Sequence, residues 1–201
     1  MESTNTPRES APVSHIRFVD GGISALRPVL AQDFEAVVNL LNASPVPFGS
    51  TPVWTVARLK KMYDDEKEPG LWNKSKRWYT VLRKADSLIV GILVEHCERT
   101  GETGLQFQFT ESAENSDDLA RDALATYLKY RTGFYTTPRI NVEFASFEEN
   151  KQRWLEELGF IYQARIDEGL QWLGERCDLL LYCWIPEWVM SMRAPDGGAA
   201  E

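Results

Sequence analysis

The sequence predicts a single α/β domain built on a mixed, twisted sheet with flanking helices. Two features of its order point there. Strand-like runs in the first half are joined by short turns, which makes antiparallel pairs, whereas the second half alternates strand and helix, which makes parallel ones. The ending is the clearest stretch: residues 154–182 read WLEELGF, a polar run, then GERCDLLLY. An amphipathic helix stops at Gly159, a strand starts at Phe160, and a turn at Gly174 leads into an apolar strand holding Asp178, Leu179, Leu180, Leu181 and Tyr182. A third observation is bulk. With 201 residues, 43% hydrophobic and 26% charged, the chain can form one packed core.

The elements follow in order. Residues 1–14 are rich in Ser, Thr, Pro and Glu and are predicted to be disordered, as is the tail RAPDGGAAE at 193–201, so the folded domain is 15–192. A short strand covers 24–27 and is stopped by Pro28. Asp33 is placed to cap a helix whose apolar positions Phe34, Val37, Val38 and Leu41 share one face. Pro45, Pro47 and Pro52 make 43–52 a loop. A second helix fits 53–63, with Val56, Leu59 and Met62 on one side, and Pro69 and Gly70 mark a polar loop over 66–76. Strands are predicted at 77–83 and 88–96, joined by a turn at Lys84-Ala85-Asp86. Gly101 marks the next turn, and a strand at 105–110 follows. A strong helix at 119–130 buries Leu119, Ala123, Leu124, Tyr127 and Leu128. A strand at 139–145 and a helix at 148–158 complete the order β-α-α-β-β-β-α-β-α-β-β, with no internal repeat.

Composition narrows the function classes. A net charge of −8 repels phosphate backbones, so no nucleic acid is expected, and it suits a cationic acceptor or a basic partner. No apolar run approaches the roughly 20 residues that span a bilayer, and no secretory signal is read, so no membrane is expected. Cys97, Cys177 and Cys183 are an odd, sparse set, which predicts reduced thiols and a cytoplasmic protein. Two histidines, His15 and His96, make a metal site unexpected.

The phrase from Trp154 to Tyr182, an LGF followed by G, D and LY, resembles the C-terminal half of the GNAT N-acetyltransferase superfamily. It is nearest the branch that acetylates ribosomal-protein N-termini and small amines. The resemblance covers residues 23–188 and implies a GNAT-like domain whose central parallel strands, 105–109 and 139–144, are splayed. It also implies an N-acyltransferase whose co-substrate is acetyl-CoA or another acyl thioester. The acceptor would be an amine of a small molecule or a peptide N-terminus. In that family the pantetheine arm lies between the splayed strands. The next loop, R/Q-x-x-G-x-G/A, holds the pyrophosphate on its backbone N–H groups.

Here that loop reads ESAENSDD. Matching Arg121 to Leu124 with the family's TEAL puts the motif positions on Ala113, Ser116 and Asp118. No glycine occurs from Leu105 to Tyr130, and Glu111, Glu114, Asp117 and Asp118 place four carboxylates where the phosphates would rest. Asn115 or Ser116 can cap the following helix. The expected donor contacts are Phe109 and Thr110, through backbone amides that would polarise the thioester, together with Ser116 and Asp118. The family's Asn and Tyr positions on the last helix fall on Glu148 and Leu155, so the tyrosine acid is missing.

Glu143, on the strand beside the presumed split, is the candidate general base, with Glu95 as the second. Gln106 and Gln108 alternate with Leu105, Phe107 and Phe109 and so lie together on one face, read either as the wall of the acceptor cleft or as a half-exposed strand face. Trp54, Trp72 and Trp78 are read as acceptor-pocket walls or as core, and Trp172, Trp184 and Trp188 as core or the face of a homodimer. Gly91 matches a frequent family glycine.

Two other readings stand beside the acyltransferase. One is a GNAT-shaped scaffold that has lost coenzyme A binding, which the glycine-free loop and the missing tyrosine favour. The other takes its acyl group from a carrier protein docked on Lys60, Lys61, Lys74, Lys76, Arg77 and Arg83.

Overall fold

The computed structural model describes residues 19–48, 53–65, 71, 76–97 and 101–193. The predicted disordered start at 1–14, the predicted tail at 193–201 apart from Arg193, Trp72, Lys74, and most of the 66–76 loop lie outside them.

The chain enters through a tight ribbon, β1 (Val19–Asp20) and β2 (Ser24–Pro28). Its turn is held by Asp122, whose carboxylate accepts from the amides of Gly22, Ile23 and Ser24 and from the Ser24 hydroxyl at 2.7–3.0 Å. A 3-10 turn (Ala31–Asp33) leads into α1 (Phe34–Ala43). Asp33 is the residue before α1, as expected, yet its buried carboxylate accepts from Arg27 and from the Leu30 amide instead of capping the helix. Helix α2 (Val56–Tyr63) starts later than the apolar pattern suggests, because Thr55 caps it by accepting from the Arg58 amide.

A meander follows: β3 (Lys76–Arg83), β4 (Ile89–Cys97) and β5 (Thr103–Phe109). A single helical turn, α3 (Glu111–Glu114), precedes the long α4 (Asp117–Phe134). Then come β6 (Ile140–Ala145), α5 (Glu149–Glu157), β7 (Ile161–Trp172), β8 (Glu175–Trp184) and α6 (Glu187–Arg193). Gly159 and Gly174, both at positive φ (81° and 89°), make the stop and the turn read from the sequence. The elements β1, α3 and α6 are additions to the predicted order.

Among the described residues all strands join one eight-stranded sheet in the order β1-β2-β3-β4-β5-β6-β8-β7, and the only parallel pair among them is β5 with β6. One core lies between the sheet and α4 and α5, and includes Leu93, Leu105, Phe107, Phe109, Tyr127, Phe144, Trp154 and Leu155. A second lies under α1 and α2, and includes Val37, Leu41, Trp54, Leu59, Trp78, Ile92 and Val94. Gly91 has a packing reason. A Cβ there would meet the Phe109 ring at 2.5 Å, so glycine lets that ring lie across β4 and set the height of the end of β5.

Candidate functional site

The parallel ladder of β5 and β6 is short. Thr103 pairs with Ile140, Gly104 with Asn141 and Leu105 with Val142, and there it ends, although β5 runs on to Phe109 and β6 to Ala145. The strands part beyond Leu105 and Val142, and a split opens inside the sheet. Strand alternation fixes which backbone groups face it. The Thr103 amide donates to Arg139 on the β6 side, whereas the Thr110 amide donates to Val90 of β4. Odd positions of β5, Phe107 and Phe109 among them, therefore direct their N–H and C=O into the split.

On the α1 side the split meets a cavity of about 640 Å³. Its walls include Val46 and Pro47 after α1, His96, Gln106, Asn141, Glu143 and Tyr182. Glu143 is the first β6 residue beyond the ladder. It is exposed, and its carboxylate has no hydrogen-bond or ion-pair partner among the described residues. Glu102 also lines this space and accepts from Asn141 at 2.9 Å. Gln106 donates to the Pro47 carbonyl at 3.0 Å and pins the loop over β5. The Tyr182 hydroxyl donates to Glu156 at 2.8 Å. Burial and Glu156 push its pKa up to about 12, so it stays protonated at neutral pH.

The other end of the split is closed on itself. The stretch expected as an open loop winds into α3. Its Ala113 and Glu114 amides donate to Thr110, Asn115 to Glu111, Ser116 to Ala113, and Leu119 to Ser116. Amides bonded within a helical turn cannot also hold a phosphate. A second cavity, about 430 Å³, lies here against Gln108, Glu114, Phe147, Glu148, Lys151 and Trp172. Lys151 is only 4% exposed. Its ammonium donates to the Phe107 carbonyl at 3.1 Å and to Gln108 at 3.0 Å, and pairs with Glu148 at 2.7 Å. Gln108 in turn donates to Glu114 at 3.0 Å and to the Phe109 carbonyl at 3.2 Å. Burial raises the Glu114 pKa. Lys151 opposes that rise, and Glu148 adds to it.

Solved structures superpose on this chain over most of its length. A spermidine N-acetyltransferase of Vibrio cholerae, solved with CoA and spermine, superposes with a TM-score of 0.70 at 16% identity, over 83% of this chain and 98% of that one. A GNAT-family acetyltransferase of Bacillus anthracis gives 0.67 at 17% identity, over 85% and 99%. The chain has the GNAT acetyltransferase fold. No protein-family model matches the sequence, and no curated protein matches it.

Within the GNAT fold the expected site residues separate. Glu143, Gln106 and Gln108 lie on the face that carries both cavities, opposite Leu105, Phe107 and Phe109, as alternation requires. Glu95 does not join them. It faces α4, fully buried, and accepts from Arg77 at 2.8 Å and Tyr127 at 3.1 Å, with Arg131 at 3.4 Å. A carboxylate enclosed by two guanidiniums on the far side of the sheet cannot reach an acceptor, so Glu95 has a structural task.

The Thr110 amide, engaged with Val90, is not a polarising donor. The Phe109 amide keeps the right direction, while its side chain is core. Ser116 occupies the N-cap of α4 without a side-chain cap bond, and Asp118 pairs with Arg121 at 2.7 Å. Trp54 and Trp78 stack edge to face, centroids 5.4 Å apart, inside the α1–α2 core, and line neither of the two cavities described above. Two members of the expected basic docking patch are engaged elsewhere. Arg77 is buried against Glu95, and Arg83 pairs with Asp86.

Lys151 escaped the sequence reading. Its signal was present: Lys151, Trp154, Leu155 and Leu158 fall at helical spacing on the apolar stripe of α5. A lysine in such a stripe must find partners or leave the core. Leu155, at the family's tyrosine position, is fully buried and contributes no acid.

Proposed function

We propose that this chain is an N-acyltransferase that moves an acyl group from a thioester to a small cationic amine. One observation carries the reading: the β5–β6 ladder ends at Leu105 and Val142 beside an open cavity, and the next residue, Glu143, presents an unpartnered carboxylate to it. The V. cholerae neighbour, solved with CoA and spermine, supports an amine acceptor of this kind. An amine arrives protonated at neutral pH. Glu143 attracts the cation and takes its proton, directly or through water. The nitrogen attacks the thioester carbonyl, the N–C bond forms, the C–S bond breaks, and the thiolate leaves and collects a proton. The Phe109 amide, directed into the split, is the donor for the developing oxyanion.

A second reading, a scaffold without transferase activity, is favoured by α3, whose Ala113 and Glu114 amides are engaged internally where a pyrophosphate cradle would stand. The test is acyl transfer from acetyl-CoA and from acetylpantetheine, which lacks the pyrophosphate, to spermidine, spermine and a peptide N-terminus, with products read by mass spectrometry. Transfer from acetylpantetheine at a rate at least equal to that from acetyl-CoA is expected. No product from either thioester with any amine decides for the scaffold.

A further inference from the structure

We propose that Lys151 is a specificity-determining residue of the split, an internal cation that holds the place of the donor's arm. The proposal rests on the acyltransferase reading for its meaning, but its test does not depend on turnover. Where two strands part, the backbone groups facing the gap need partners, because a buried carbonyl without one is costly. A thioester arm with amide groups can supply them. In this chain the protein supplies them itself. Phe107 and Phe109 turn their carbonyls into the split. Lys151 donates to the first at 3.1 Å and Gln108 to the second at 3.2 Å.

The ammonium is held from all sides. Gln108 accepts its second bond at 3.0 Å and Glu148 pairs with it at 2.7 Å, while the Phe107 ring centroid lies 5.3 Å away. Glu148 is itself fixed, because it also accepts from the Ala145 amide at 2.9 Å. Three acceptors for three N–H donors is a complete cation site. A neutral arm that enters must displace a charge-assisted hydrogen bond and leave an ion pair rearranged. Lys151 therefore weakens every donor that enters by a pantetheine arm, acetyl-CoA and acetylpantetheine alike, and favours donors able to displace it or to bind beside it in the 430 Å³ cavity that it lines.

The experiment is calorimetric titration of the full chain with coenzyme A, comparing the parent with Lys151→Ala, Lys151→Met and Glu148→Gln. Lys151→Ala frees both the carbonyl and the volume. It should bind coenzyme A about 10- to 100-fold more tightly, the range expected for release of one charge-assisted hydrogen bond. Lys151→Met frees the carbonyl but keeps the bulk, so its gain should be smaller. Glu148→Gln keeps the lysine and loosens it, and should give a gain of a few-fold. Each variant is first checked for a cooperative unfolding transition. Should the alanine variant not fold, Glu148→Gln decides. A folded variant whose affinity equals the parent's, including no binding by either, overturns the proposal. Tighter coenzyme A binding without transfer in any form sustains the role of Lys151 in the split and removes the acyltransferase reading instead.

Discussion

The two faces of the central sheet treat their carboxylates in opposite ways. Towards α4, Glu95 is enclosed by Arg77, Arg131, Tyr127 and Tyr79, and every oxygen has a partner. Towards α1, Glu143 stands at the mouth of the split with no partner among the described residues. A buried carboxylate with both oxygens partnered holds structure together and has nothing left for a ligand. An unpartnered carboxylate on a cavity wall contributes little to folding and is free for chemistry. The split repeats the contrast along β5. Its start opens on the cavity, whereas its end, from Phe107 to Glu114, is filled by Lys151, Gln108 and α3.

Three substitutions break or sharpen that contrast. The largest effect belongs to Glu95→Ala. It leaves two buried guanidiniums without their common anion, and unfolding stability should fall by about 3–5 kcal/mol. Denaturant titration checks this. A loss under about 1 kcal/mol would show that the network is solvated and the contrast false.

Glu143→Gln is the counterpart. Its stability should stay within about 0.5 kcal/mol of the parent, as for an exposed surface change. Acyl transfer should drop about 10- to 1000-fold, within reach of a general-base contribution. Parent-level rates across the pH range would make Glu143 a bystander.

The smallest effect is Glu114→Gln, at the closed end. Burial raises the Glu114 pKa above the ordinary value of 4.5, with Lys151 opposing and Glu148 and Glu111 adding. A carboxyl raised in the folded state binds its proton more tightly there than when unfolded. The native state is therefore favoured as pH falls, and the cost of burying the charge is fully present above the folded pKa. Glutamine removes that cost and can still accept from Gln108. The variant should exceed the parent at neutral pH by under about 1 kcal/mol, a figure already reduced for solvent screening. The gap should close as pH falls to 4.5 and below. Thermal melts at a series of pH values read it, and a gap that widens on acidification reverses the sign of the argument.

How far the site was legible differs residue by residue. Glu143 alternates with Val142 and Phe144, so its strand declared which face it takes. Glu95 sits in IVGILVEHC, apolar on both faces. Such a run carries no parity, and the side of the sheet on which its carboxylate falls is set by register with β3 and β5. The acidic stretch after β5 shows its four carboxylates directly in the sequence. That it would close into a helical turn was written in its lack of glycine and its helix-forming Glu and Ala, and the family pattern hid this by suggesting a loop.

The sequence by itself determined the order of the longer elements, the Gly159 stop, the Gly174 turn and the polarity of the stretch after β5. These follow from local periodicity and from backbone conformations only glycine adopts readily, and they need no distant partner. Only the tertiary structure decided that β5 and β6 part after three pairs and that Glu95 and Glu143 lie on opposite sides of the sheet. It also decided that Lys151 reaches across 44 residues of sequence to the Phe107 carbonyl. Those outcomes depend on strand register and on how α5 settles against the sheet. Both are set by the sum of core packing, to which each buried apolar side chain adds about 1.5–3 kcal/mol, and not by any local pattern.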